Sequence, residues 1–523
     1  MSSSLDAARP ETAPAETGRF RPAIHFTARD TWLNDPNGLV FYNGLYHLFF
    51  QNNPYDNVWG NMSWGHATSP DLLHWTEHPV AIACDEREDI FSGSVVVDHR
   101  NTSGFGTADK PALVAIYTSA FKSGTEHSGM QAQSLAYSLD AGMTWHKYAC
   151  NPVLTRNSAH FRDPKVFRYS GEQGAYWVMV AVEAVEQKVV FYRSEDLKSW
   201  NFLSDFGPAN ADAGEWECPD LFPLPVDGDP DNIAWVLIVN VNPGSVAGGS
   251  GGQYFVGHFD GVRFLPDAGS LVAPAGLASL PDASEALKQC LWLDWGRDCY
   301  ASVSFSNAPD GKRIIIGWMN NWDYANELPT APWRSSMTIA REVSLTAVDG
   351  SARLVQRPVL SGTASGAGPS FQDRLATGAV ELGHAAVRLP DAVPGSAQVI
   401  EAEIMPGTAG RIDFRFFETG DGSNGTILSY DTSRARLTLD RRKSGNTDFH
   451  EKFASVESAP VDLENGVLHL LIIVDHGSVE VFVNGGKVVL TDLVFPPAGA
   501  VGNRLVAEGG PATLRKLSVS TLA

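Results

Sequence analysis

The chain has 523 residues and a formal net charge of −21, a balance that repels nucleic-acid phosphates and anionic membrane surfaces and favours a neutral or cationic ligand. Hydrophobic residues make up 43% and aromatics 10%, enough to fill two cores, and no apolar run approaches the roughly 20 residues of a membrane span, so a soluble two-domain protein is expected. Five cysteines, an odd count with no CxxC pair, signal neither a disulfide framework nor a zinc site.

The N-terminal stretch is rich in Ser, Ala, Pro, Glu and Thr and lacks the basic and apolar regions of a secretion signal. Residues 1–20 therefore read as a disordered tail. A cytoplasmic protein is expected from the sequence as written, and a secreted one if a leader has been removed. Past the tail, short apolar runs recur between Gly, Asn, Asp and Pro, at 41–51, 95–98, 113–119, 176–183, 189–193, 235–241, 254–259 and 313–318. Almost none shows a 3.6-residue period, which predicts an all-β chain.

A Ser-x-Asp signature followed by Trp occurs three times: Ser69-Pro70-Asp71 before Trp75, Ser138-Leu139-Asp140 before Trp145, and Ser194-Glu195-Asp196 before Trp200. Each predicts a strand ending in a turn whose Asp caps backbone amides, then an outer strand whose Trp packs on its neighbour. Units of this kind are propeller blades, and 21–345 accommodates five of roughly 65 residues each. Residues 346–370, ending in a Gly, Ser, Ala and Thr tract, read as a linker. Beyond them, alternating strands at 398–404, 411–417, 468–474 and 478–483, the last closed by Asn484-Gly485-Gly486, predict a β-sandwich over 371–523.

Three polar clusters stand just before apolar strands. Trp32-Leu33-Asn34-Asp35-Pro36-Asn37-Gly38 makes a good β-turn by itself, but with Gln51 and Trp59 following, it offers rings to stack on and amides to bond hydroxyls, as a sugar site requires. Phe161-Arg162-Asp163-Pro164 joins a cation to a carboxylate. Glu215-Trp216-Glu217-Cys218-Pro219-Asp220 crowds three acids near apolar surface, which should raise at least one pKa and supply a general acid. Trp64, Trp75, Trp145 and Trp200 are expected in the core, and His66 as a hydrogen-bonded structural residue.

These clusters, together with Phe91-Ser92-Gly93-Ser94, closely resemble the signature blocks of glycoside hydrolase family 32, which comprises invertases, levanases, inulinases and related fructosyltransferases. The similarity continues through residues 51–69, 294–301, 317–322 and 478–485. Leu33 and Cys299 depart from the usual pattern without touching the proposed chemistry.

The resemblance implies a retaining enzyme with Asp35 as nucleophile, Glu217 as acid/base and Asp163 as transition-state stabiliser. Such an enzyme sets two carboxyl groups roughly 5 Å apart, one ionised and one protonated. Asp35, beside Arg162, is expected to carry the charge, and Glu217, near Asp163 and Asp220, the proton. Asn34, Gln51, Trp59, Phe91, Ser92 and Arg162 are the candidates for holding a terminal fructose, with Trp32 and Trp318 at the rim. No metal or other cofactor is needed, because the carboxylates supply both halves of the acid/base work.

The implied partner is a fructan or a fructose-containing oligosaccharide such as sucrose, inulin or levan, with no nucleic acid or membrane. The sandwich would brace the propeller, or serve as a carbohydrate-binding or homo-oligomerising module. The same carboxylates would serve a fructosyltransferase, for instance one forming a difructose anhydride from levan. An inactive fructan-binding homologue would have lost a carboxylate, and all three are present.

Overall fold

The computed structural model describes residues 18–522 apart from 108, 172–173, 361–370 and 384–385. The expected tail up to residue 17 and the Gly/Ser tract of the expected linker thus lie outside the described residues. Among the described residues no helix is long and apolar enough to cross a membrane.

Among the described residues five blades surround one axis: three are separate antiparallel sheets of four consecutive strands, and the last two are joined into one nine-stranded sheet by a single parallel pairing of Val226 with Leu345. Their innermost strands are Trp32–Tyr42, Glu88–Asp98, Phe161–Gly171, Glu215–Val226 and Tyr300–Ser304. Each packs on the next, and the fifth returns to the first, where Phe41 N–H donates to Ser306 O at 2.9 Å and Ser306 N–H to Leu39 O at 2.9 Å. Middle strands such as Ala112–Phe121 and Gly174–Glu183 are apolar almost throughout. Neighbouring blades cover both their faces, and this is why they appear in the sequence as continuous runs rather than alternations. The run at 41–51 is two strands, joined through Asn43 and Gly44, both at positive φ.

The Ser-x-Asp repeat forms the turn between third and outer strand in the first three blades. In the first, Asp71 Oδ1 accepts the amides of Leu73 at 3.0 Å and His74 at 2.8 Å, and the Trp75 indole donates to Leu72 O at 3.1 Å. Asp196 accepts the Lys198 and Ser199 amides, and the indoles of Trp145 and Trp200 repeat the bond to the carbonyl three residues back. The fifth blade closes with Arg341–Val348 and Ser351–Pro358, paired around Asp349 and Gly350, both at positive φ. The expected propeller end at residue 345 therefore falls inside a strand. Asp-Gly here is a two-residue hairpin turn rather than the start of a linker.

Two further sheets form the sandwich, one of seven strands and one of six. The outer sheet alternates buried and part-exposed residues, as in Thr426–Asp431 and Gly502–Glu508, whereas Ser478–Val483 is buried at every position because it faces the propeller. That contact combines apolar packing, as of Leu73 and Ile339 with Ile473 and Phe482, with buried ion pairs. Arg341 reaches Asp294 at 2.9 Å and Glu480 at 3.0 Å, Arg441 reaches Asp298 at 2.5 Å, and His25 lies between Asp475 at 2.7 Å and Glu480 at 2.9 Å. Residues 294–301 and 478–485, quoted above for family resemblance, thus largely hold the two parts together. The sandwich packs against the propeller.

Candidate active site

All five innermost strands are bulged at the same end of the axis. Register slips occur between Leu33 and Pro36, Phe91 and Gly93, Arg162 and Lys165, Glu217 and Asp220, and Tyr300 and Val303. A bulge puts an extra residue into a strand and re-aims its side chain. Asp163, Cys218 and Ala301 take positive φ there. Pro36 and Pro164 directly follow Asp35 and Asp163, and Pro219 follows Glu217-Cys218 within the bulge, as a bulged strand tolerates, because the missing N–H breaks no ladder bond. Gly93 is required by space: a Cβ would stand 2.1 Å from Ile116 O.

The bulges open a cavity of about 420 Å³ lined by Asn34, Asp35, Gln51, Trp59, Phe91, Ser92, Arg162, Asp163 and Glu217, all expected from the sequence, and also by Gln131, His160, Glu215, Asn242 and Trp322. Trp59 is half-exposed at the edge, its backbone amide bound to Asn326 Oδ1 at 3.0 Å. Gln51 Nε2 is shielded from solvent and has no acceptor among the described residues, which leaves it free to donate to a ligand hydroxyl.

Trp32 and Trp318 are not at the rim. Both are fully buried, 6.0 Å apart by ring centroids, and Trp318 packs at a tilt, 4.8 Å away, against Trp322, which lines the cavity. The Trp32 indole donates to Asn34 Oδ1 at 2.7 Å, fixing the amide that in turn donates to Asp35 Oδ1 at 3.0 Å. Trp64 is buried and Trp75, Trp145 and Trp200 pack on the core as expected. His66 is a buried partner of His47 at 3.1 Å, and desolvation with the neighbouring imidazoles His47 and His78 pushes its pKa down to about 2.

Asp35 also accepts Ser92 Oγ at 2.7 Å and the Cys218 thiol at 3.5 Å. Arg162 does not serve it. The guanidinium turns to Glu217, at 3.1 Å, and to Glu215. Glu217 takes a second bond on its other oxygen from the Tyr300 hydroxyl. Asp220, expected to press on Glu217, is instead neutralised by Lys165 at 3.1 Å. Desolvation, reinforced by the charges of Asp35 and Glu215 and opposed by Arg162 and Tyr300, raises the Glu217 carboxyl above its ordinary range. Asp163 accepts the Cys218 amide at 2.9 Å, and its own amide donates to Thr118 Oγ1 at 3.0 Å. Desolvation pushes its pKa up to about 7, with Glu217 and Asp35 adding to the shift and Arg162 opposing it.

Three crowded acids make a space where positive charge is welcome, and flanking rings and amides suit a neutral sugar. Two carboxyl groups with different surroundings are what glycosidic bond cleavage uses. Residues 25–358 match the N-terminal domain of glycosyl hydrolases family 32, and residues 369–521 match its C-terminal domain. A levanase of Bacillus subtilis is 43% identical, covering 96% of this chain and 70% of its own. An extracellular exo-inulinase of Aspergillus ficuum is 40% identical over 94% of this chain and 92% of its own. The crystal structure of the exo-inulinase from Aspergillus awamori superposes with a TM-score of 0.86 at 38% identity, covering 96% of this chain and 98% of that one. The chain belongs to glycosyl hydrolases family 32 and is a glycoside hydrolase.

Proposed function

We propose that the enzyme hydrolyses terminal β-D-fructosyl linkages of levan, inulin or sucrose with retention, through a fructosyl-enzyme on Asp35. The observation that carries this is the convergence of Asp35, Asp163 and Glu217 on one cavity with different partners. Asp35 accepts from an amide and a hydroxyl, which orient a nucleophile towards the anomeric carbon. Glu217, desolvated and crowded by acids, holds the proton that the departing oxygen takes. It then removes a proton from the water that resolves the intermediate. Asp163 bonds hydroxyls of the fructosyl ring, and its negative charge gains as oxocarbenium character develops, so its contribution falls mainly in the transition state.

The B. subtilis levanase and the two Aspergillus exo-inulinases support fructan as the substrate class. Water as acceptor follows from the same relatives, and the fructosyltransferase alternative is not favoured. The extracellular exo-inulinase supports action outside the cell, where polymeric fructan is met.

The test is product analysis by chromatography and NMR after separate incubation with sucrose, inulin and levan, with Asp35→Ala as blank. Free fructose is expected as the main product from the wild type and none from the variant. Difructose anhydride or lengthened oligosaccharides as main products would contradict hydrolysis, and turnover by a verified Asp35→Ala protein would contradict the nucleophile.

A further inference from the structure

The opposite mouth of the propeller axis is built from the same innermost strands and carries the opposite charge. Asp163 and Arg168 share the strand Phe161–Gly171, and at roughly 3.3 Å per residue the chain advances on the order of 15 Å along the axis between them. There Val166, Phe167 and Trp177 wall a cavity of about 320 Å³, and Arg100, Arg168 and Arg313 ring it. That volume lies at the lower end of the range of small-molecule sites.

In a chain of net charge −21, three guanidinium groups around one cavity call for carboxylate partners. The nearby carboxylates are engaged elsewhere. Asp98 is bound by the amides and hydroxyls of Thr102 and Ser103 at 2.7 to 3.0 Å, Glu195 by Arg193 at 2.7 Å, and Asp220 by Lys165 at 3.1 Å. Arg168 Nη2 donates to Ala175 O at 2.6 Å and the guanidinium lies 5.1 Å over the Trp177 ring. Its Nε and Nη1 are shielded from solvent and have no acceptor among the described residues. Arg313 lies 4.8 Å over Phe222 and has only long bonds, to Ser304 Oγ at 3.3 Å and Phe305 O at 3.4 Å. Desolvation lowers the pKa of both arginines, and the charge of Arg100 adds to the effect on Arg168.

A shielded guanidinium with idle donors is costly, and an oxoanion satisfies several N–H groups at once in the planar geometry that arginine presents. We propose that this second cavity binds a small organic dianion, its phosphate or carboxylate oxygens held by Arg168, Arg100 and Arg313 and its apolar body against Phe167 and Trp177. The site is separate from the catalytic cavity, and a ligand there leaves Asp35 and Glu217 accessible.

The test is calorimetric titration of the full chain with phthalate, phenyl phosphate and inorganic phosphate at neutral pH. Ionic strength is held constant, and saturating fructose occupies the catalytic cavity. Saturable binding of phthalate or phenyl phosphate, tighter than that of inorganic phosphate, is expected, and the tighter of the two identifies carboxylate or phosphate as the group held. Arg168→Gln and Arg100→Gln should each weaken it at least tenfold with hydrolysis unchanged. Arg100 is exposed, so its variant keeps the test valid if Arg168→Gln fails to fold. No saturable heat from any of the three anions, or equal affinity in wild type and Arg100→Gln, overturns the proposal.

Discussion

Asp163 is held at a cost in stability. Its carboxyl is desolvated and flanked by Glu217 and Asp35, which puts its folded pKa at about 7 against an ordinary value of 3.8. Below about pH 4 it is protonated in folded and unfolded chains alike. Between pH 4 and 7 the folded protein retains a proton the unfolded chain has lost, so stability falls as pH rises, and above 7 the full penalty is present. Asp163→Asn keeps an acceptor for the Cys218 amide and removes that charge. It is expected to abolish most turnover, lowering kcat more than it raises KM, yet to stabilise the fold by roughly 2–4 kcal/mol at pH 8 and by nearly nothing at pH 4. Thermal unfolding of wild type and variant across that range checks it, and a gain independent of pH would point to packing instead.

At this scale the sequence exposes residues that sit in dense local clusters, and Asp35, Asp163 and Glu217 with their immediate neighbours are legible for that reason. Gln131 and Asn242 reach the site from other strands of the blades that carry Ser92 and Glu217, with nothing local to mark them, whereas His160 adjoins the Arg162-Asp163 cluster and Tyr300 lies in the 294–301 block without standing out there as a site residue. The two indoles expected at the rim went astray because a Trp beside a catalytic carboxylate can line a cavity or underlie it, and only packing against Trp322 decides which.

The blade turn shows how an element is encoded and how its signal fades. In the third blade Asp196 Oδ1 accepts the Lys198 amide at 2.9 Å, the Ser199 amide at 2.7 Å and the Ser194 hydroxyl at 3.1 Å. Asp196→Ala leaves those donors without their acceptor, and a loss of about 1–2 kcal/mol is expected, read as a lowered denaturant midpoint with faster hydrogen exchange at Lys198 and Ser199. In the fourth blade Asp260 caps the Val262 and Arg263 amides at 2.8 Å, but His258 stands where the others have Ser and Phe264 where they have Trp. The physical device persists while its letters change, so three blades are visible by repeat and two only by strand content. Asp349-Gly350 was a legible hairpin signal, masked by its nearness to the Gly/Ser tract that dominates the composition of the stretch after it.

For the whole molecule, the propeller and sandwich meet through buried charges set among apolar contacts, such as Tyr324 and Leu328 against Phe453 and Phe495. Pairings between residues hundreds of positions apart leave no trace in one sequence, and this contact is the least legible part of the fold. His25 is its most pH-sensitive member. Burial alone would lower its pKa, but hydrogen bonds to Asp475 and Glu480 outweigh it and raise the value to about 9 from 6.5. The stabilisation is complete below pH 6.5 and is lost as pH rises through 9. His25→Gln should therefore destabilise the protein by about 3 kcal/mol at pH 6, with wild type and variant converging by pH 9 to 10. Scanning calorimetry across that window checks it; a constant difference would mean that His25 contributes as a neutral ring.

The division of roles between Asp35 and Glu217 is tested most directly by chemical rescue. Glu217→Ala is given β-D-fructofuranosyl fluoride, whose leaving group needs no proton, with and without azide, and the product is identified by NMR. The fructosyl-enzyme on Asp35 should form and await a base, so azide should accelerate turnover at least tenfold and yield fructosyl azide of retained β configuration. An α-configured azide, or no acceleration by azide, would contradict the double displacement and the assignment of Glu217 as its acid/base.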